Sequence, residues 1–272
     1  MNAAGGSHSI RAVAGIQARM GSTRLPGKSL ADLNGLPLIH RVFERAMMAE
    51  TLAAVVVLTT VEPVDDPLAE YCDRHDIPCR RGSEQDVFAR YASLMDELDP
   101  RYVARITGDC PFICPKHIDA QVEALEFFDA DFAPAVGCEH IYPGQGVISA
   151  RALRSVQCSQ DPADREHVGS FWFAHHNDQF RSVAMHCETL EAPENLRLCV
   201  DEAADLEAAR SLYRALEPTY GAGFPIEAIL RQSSRDQAVR EAATLVNHSE
   251  ANQRIQDWKQ TRREPFVGEW RR

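Results

Sequence analysis

From Ala53 to Thr60 the chain reads Ala-Ala-Val-Val-Val-Leu-Thr-Thr, an unbroken small, apolar and β-branched run. A strand of this kind offers no polar face to water. It must be covered on both sides, as a strand within a parallel sheet is. The flanking segments fit that demand. A shorter apolar run, Ala12–Ile16, precedes it, Ile77–Arg80 reads as a short strand and Tyr102–Ile106 as a further one. Between them lie helices at Pro37–Ala49, with apolar positions at Leu38, Val42, Ala46 and Met47, at Asp66–His75 and at Asp86–Leu98. This alternation predicts an α/β fold whose sheet is mostly parallel, with right-handed crossovers.

The second half continues with a helix at Pro115–Phe127, a strand near Asp131–Ala135, and a loop or antiparallel excursion at 137–146. Helices are expected at Ser149–Val156, Asp164–Asn177, Ala203–Leu216 and Ile226–Gln232, and strands at Phe180–Cys187 and Asn195–Val200. At 272 residues the chain has room for one large α/β domain, placed at 10–247, after a disordered 1–9 segment. The stretch 248–272, with Arg254, Lys259, Arg262, Arg263, Arg271 and Arg272, has little apolar periodicity and reads as a solvated or partner-bound basic tail.

A net charge of −11 argues against nucleic acid as a partner. No apolar stretch approaches the roughly 18–20 residues of a membrane span, and Met1–Ser9 lacks the apolar centre of a signal peptide. A cytoplasmic compartment is expected. The eight cysteines are scattered, mostly in apolar runs, and read as reduced thiols. Cys110 and Cys114 have no second close pair, so a zinc set is not expected.

Against the acidic background, the loop after Ile16 stands out. It runs Gln-Ala-Arg-Met-Gly-Ser-Thr-Arg-Leu-Pro-Gly-Lys from 17 to 28. A loop ending a strand can turn main-chain N–H groups and cations into one concavity, as polyphosphate binding requires. Arg19, Arg24 and Lys28 can neutralise about three phosphate charges. The P-loop pattern is a near miss: five residues separate Gly21 from Gly27 where that motif has four, and Pro26 removes an N–H. A plain solvated basic turn is the other alternative.

Two acidic positions follow strands. Thr107-Gly108-Asp109 directly succeeds Val103–Ile106, at the carboxyl end where open α/β sheets bind ligands. Read alone, Asp109 fits a metal-facing carboxylate and an ordinary turn or N-cap equally. Leu196-Arg-Leu-Cys-Val-Asp201 alternates like a strand and ends in an acid, with Asp205 one helical turn on, facing solvent or capping.

Gln17, Ala18, Arg19, Ser22, Arg24, Leu25, Pro26 and Lys28 give eight matches over twelve residues to a signature loop. On these residues the chain resembles the sugar-acid cytidylyltransferases, the makers of CMP-KDO and CMP-sialic acid, and most closely their spore-coat polysaccharide-type branch. The resemblance extends to about residue 247. It implies a three-layer Rossmann-like nucleotide-diphospho-sugar transferase fold with a small antiparallel arm. It also implies Mg2+ as cofactor, CTP and a small-molecule acceptor as partners, and a homodimer formed through the arm at 138–148.

Carried over residue by residue, the resemblance makes Arg19, Lys28, Asp109 and Asp201 catalytic, with Asp109 and Asp201 holding the metal. Nucleotide contacts would come from Ala18, Arg19, Ser22, Arg24, Lys28, Arg81, Gly82, Ser83, Thr107 and Gly108. The stretch from Arg80 to Asp86 also fits a helix start capped by Ser83 with Asp86 as the N3 acid. Arg165 and His167 resemble acceptor-pocket positions, although a histidine in such a place is more often structural. Where the branch often has an acid after its Tyr-Pro-x-Gly loop, this chain runs Tyr142-Pro-Gly-Gln-Gly-Val-Ile, which leaves the acceptor open. A 2-keto-3-deoxy sugar acid is expected. A sugar 1-phosphate or phosphonate acceptor, a glycosyltransferase using Asp129-Ala-Asp131, and a nucleotide-binding protein without turnover remain the alternatives.

Overall fold

The run that begins near Ala53 forms an inner strand of a five-stranded sheet. β1 (Ile10–Gln17), β4 (Leu52–Thr60), β5 (Cys79–Gly82) and β6 (Pro100–Thr107) are parallel, in the order β5-β4-β1-β6. β8 (Gln145–Ser149) closes the edge antiparallel to β6. Between β1 and β4, β2 (Asp32–Leu33) and β3 (Leu36–Pro37) form a small antiparallel hairpin over Asn34 and Gly35, both at positive φ as a two-residue turn requires. β7 (Ala135–Val136), β9 (Val183–His186) and β10 (Gly268–Arg271) form a separate three-stranded parallel sheet. The computed structural model describes residues 10–136, 141–169, 172–173, 176–186, 192–193, 196–244 and 267–271.

Alternation along β1 sorts its side chains onto two faces. Ala12, Ala14 and Ile16 share a core with α1 (Leu38–Ala46), α2 (Asp66–Arg74) and α4 (Pro115–Phe128), while Val13 faces α3 (Val87–Leu98) and α5 (Ala150–Ser155). This is the expected three-layer arrangement. A third core joins Leu196, Leu198 and Val200 to α7 (Ala203–Tyr220), α8 (Ile226–Ser233) and α9 (Gln237–Thr244).

Several expectations need correction. The helix expected at Asp164–Asn177 is broken: α6 (Pro162–Glu166) ends before Val168 and Gly169, which turn the backbone to positive φ, and helical backbone recurs at 172–173, where Phe173 N donates to Gly169 O; 170–171 and 174–175 lie outside the described residues. Residues 196–200 alternate as expected but pair with no described strand; the alternation serves the third core instead. The strand near Asp131 narrows to β7, and the one at Ile77 starts at Cys79, after Pro78, whose missing N–H cannot join a ladder. Of the basic tail, Gly268–Arg271 returns as β10 beside β9, with Trp270 packed on the first core. Residues 1–9, 245–266 (with Arg254, Lys259, Arg262 and Arg263 of the basic tail), Arg272 and the arm's 137–140 lie outside the described residues. Cys110 and Cys199 are joined by a disulfide, against the reduced-thiol reading; Cys72, Cys79, Cys114 and Cys158 are free, and Cys138 and Cys187 lie outside the described residues.

One buried histidine makes stability depend on pH. His117 of α4 stacks on Tyr142 with ring centroids 3.9 Å apart, and its Nε2 has no hydrogen-bond partner among the described residues. Burial pushes its pKa down to about 4. The unfolded chain takes up a proton near pH 6.5, the folded one only near 4, so the stabilisation is complete above pH 6.5 and is lost as pH falls through that window. The loss amounts to roughly 3 kcal/mol. Melting curves should therefore show an acid limb between pH 6.5 and 4 that His117→Phe, which keeps the stacked ring, flattens. An unaltered limb in that variant would refute the assignment.

Candidate active site

The carboxyl ends of β1 and β6 lie side by side. Gly108 N donates to Gln17 O at 2.8 Å, and a Cβ on Gly108 would come within 2.8 Å of the Ala18 Cβ. Only glycine permits that approach. Thr107 N donates to Gly144 O at 2.8 Å; Gly144 sits at φ +66°, and a Cβ there would collide with Thr107 Oγ1 and Cys110 Sγ. The loop after β1 is pinned rather than loose. Met20 N donates to the buried Asp65 carboxylate at 2.6 Å, Ser29 Oγ donates to Arg19 O at 3.0 Å, and Gly27 N returns to Met20 O. Thr60 Oγ1 donates to the other Asp65 oxygen. Ser22 Oγ accepts from Leu25 N at 3.4 Å.

Two acids from distant parts of the chain converge on one cation. Lys28 Nζ lies 2.9 Å from Asp109 Oδ2 and 3.1 Å from Asp201 Oδ1, and donates to Val200 O at 2.9 Å. Arg24 reaches the same Asp201 oxygen at 2.9 Å, and Arg197 contacts both Asp201 and Asp205 at 3.2 Å. Val200 N donates to Asp109 O at 2.7 Å, and the Cys110–Cys199 disulfide fastens the same two segments. Asp205 is buried and accepts from the Asp201 and Glu202 main-chain N–H groups, in a capping box with Glu202 at the start of α7. It caps, and does not face solvent. Two carboxylates and a main-chain carbonyl gathered around an ammonium form an all-oxygen donor set of the kind a hard divalent cation takes.

These groups line a cavity of about 770 Å³, within the range of small-molecule sites. Ala18, Arg19, Ser22, Arg24, Lys28, Thr107, Gly108, Asp109, His167 and Asp201 all face it. Four expected residues do not. Arg81 turns to Thr60 O, Glu62 O and Asp66, and a Cβ at Gly82 would meet Arg90. Ser83 accepts from Asp86 N at 3.1 Å, and it is Asp86, not Ser83, that caps α3, accepting from Ala89 N. Arg165 pairs with Asp86 at 2.5 Å and covers the Phe88 ring. Glu84 and Gln85 line the cavity in place of Arg81–Ser83, and Arg90, Arg105 and Glu166 join them unanticipated. Gln145 accepts from Cys114 N and lies outside the cavity lining. Asp131 is buried against Arg151 and Ser149, and Asp129 ends α4, so the Asp129–Asp131 pair serves structure rather than a nucleotide-sugar.

The cytidylyltransferase family model matches residues 13–220. The spore coat polysaccharide biosynthesis protein SpsF of Bacillus subtilis is 31% identical over 210 residues, 73% of this chain and 85% of that protein. The 3-deoxy-manno-octulosonate cytidylyltransferase of Zea mays is 39% identical over 136 residues, 46% of this chain and 43% of its own length. Among solved structures, a cytidylyltransferase from Leptospira borgpetersenii superposes with a TM-score of 0.76 at 24% identity, covering 88% of this chain and all of that one. A CMP-2-keto-3-deoxy-manno-octonic acid synthetase complexed with CTP gives 0.57 at 20% identity, covering 75% of this chain and 99% of that one. Both share the fold.

Proposed function

The chain belongs to the cytidylyltransferase family, and from that premise we propose that it transfers CMP from CTP to a hydroxyl of an acidic sugar, releasing pyrophosphate. The observation that carries this reading is the convergence of Asp109 and Asp201 with Arg19, Arg24 and Lys28 in one nucleotide-sized cavity. Nucleotidyl transfer asks a protein chiefly for positioning and charge stabilisation. Arg19 and Arg24, half-exposed on the loop, would fork onto the β- and γ-phosphates and steady the departing pyrophosphate. Lys28 relieves the repulsion between the two carboxylates and presents a cation to the phosphate chain. Asp109 and Asp201 would hold Mg2+, which when bound neutralises charge at the α-phosphate and lowers the pKa of the attacking hydroxyl. A 2-keto-3-deoxy sugar acid, as named for several relatives, is the acceptor class that follows.

The test is pyrophosphate release with magnesium and CTP, UTP, ATP or GTP, against sugar acids, sugar 1-phosphates and phosphonates. Release with CTP and a sugar acid alone is expected. Release with another nucleotide or acceptor class would overturn the assignment, and silence across the panel would favour a binding protein of the same fold.

A further inference from the structure

Among the described residues, five cations line the cavity, and they are not equivalent. Arg19, Arg24 and Lys28 each contact an acid: Glu84, Asp201, and the Asp109–Asp201 pair. Arg90 gives Nη1 to Leu58 O, on the β4 side of the sheet. Arg105 shares with Arg90 the lack of an ion-pair partner among the described residues, and stands apart from it on β6, beside β8. Its Nε donates to the Gln17 amide oxygen at 3.1 Å, and no described carboxylate forms an ion pair with it. It stands inside β6, between Gly15 of β1 and Gly146 of β8, so neither neighbouring strand puts a side chain beside it. A Cβ on Gly146 would meet nothing within 4 Å among the described residues, whereas Gly15 makes room for the Tyr91 ring. Burial lowers the Arg105 pKa from the usual arginine value, opposed by the fields of Tyr91 and Asp109, yet a guanidinium keeps its proton.

Arg105 is partly buried in the cavity lining, and a guanidinium with little water around it favours an anion that completes its hydrogen bonds. With Nε taken by Gln17, the two Nη groups are left as a fork, the geometry that fits a carboxylate. The triphosphate cations stand on the loop after β1, and Glu84 and Gln85 lie beyond β5. Arg105 lies toward the opposite edge, beside β8. We propose that Arg105 anchors the carboxylate of the acceptor on the sheet floor, with Gln17 fixing the guanidinium and Gly146 leaving the space. It selects an acidic sugar over its neutral counterpart. This rests on the CMP-transfer reading of the cavity.

The test uses the full chain as Arg105→Met and Arg105→Lys, which keeps the charge but not the fork. Binding of Mg-CTP is measured by calorimetry. Binding of 3-deoxy-manno-octulosonate and N-acetylneuraminate is followed by thermal shift, with mannose and N-acetylglucosamine as neutral controls. At least one acid should raise the wild-type melting temperature and the neutral sugars should not. Both variants should lose that shift, with at least a tenfold weaker acid affinity and CTP affinity within about twofold, and neither should melt well below the wild type. No acid response in the wild type, a retained response in the variants, or a tenfold loss of CTP affinity instead would overturn the proposal. If Arg105→Met does not fold, Arg105→Lys carries the same decision. These titrations need no turnover, so a wild type that binds an acid but releases no pyrophosphate would count against the transfer reading alone.

Discussion

Asp109→Asn should lower pyrophosphate release by two to three orders of magnitude, the scale on which one electrostatic element of a reaction site acts, while the protein still folds. The substitution keeps the shape and removes the charge. Asp109 holds the segment by its main chain, through Val200 N at 2.7 Å, so that tie survives. Lys28 also keeps Asp201 and Val200 O. What is lost is one of the two anions that gather a cation at the end of β6. The lost ion pair is partly exposed and is worth at most about 1 kcal/mol to stability, or a fall of about 2–4 °C in Tm for a chain of this size. Asp129→Asn, at an exposed acid outside the cavity, is the control and should leave turnover unchanged. Turnover of Asp109→Asn within tenfold of wild type would remove Asp109 from the reaction. A collapse of Tm would make its role structural instead.

The parallel sheet was legible because its strands carry the burial pattern on their face: Val55–Thr60 is buried without a break. The loop residues Arg19, Arg24 and Lys28 were legible because cations crowded into twelve residues have few structural uses. Proximity between distant segments was not. Nothing in Leu196–Asp201 announces that its alternation packs on helices rather than in a sheet, or that Cys199 meets Cys110. The hairpin at Asn34-Gly35 carried a usable signal in its turn residues, as did Arg105, a charge within the otherwise apolar run Val103–Ile106. Ser83 and Asp86 competed for one helix start, and spacing alone does not choose between caps. Arg81 followed the family pattern in sequence, yet Asp66 and two carbonyls claim its guanidinium.

The third core is fastened to the layer that covers the sheet by a residue that touches neither acid. Arg45 of α1 is almost fully buried and pairs with no carboxylate among the described residues. Its Nε donates to Ile113 O at 2.8 Å, just before α4. Its Nη groups donate to Ala222 O at 2.5 Å and Phe224 O at 3.2 Å, just before α8, and its plane covers the Phe224 ring at 4.4 Å. One guanidinium thus joins the layer that covers the sheet to the third core, which carries Val200 and Asp201. Arg45→Met fills much of the volume but leaves three carbonyls without a donor, at about 1–3 kcal/mol for each that water cannot reach. Relief of the buried charge offsets part of this. A net loss of about 3 kcal/mol follows, a fall in Tm of about 10 °C. Arg45→Lys separates charge from geometry: a lysine ammonium is a point charge and cannot span three carbonyls in one plane. It should melt nearer Arg45→Met than wild type. Turnover measured well below the new transition should stay near wild type in both variants. If Arg45→Lys restores the full Tm, charge and not the planar fork joins the two halves; if neither variant shifts Tm, Arg45 joins nothing.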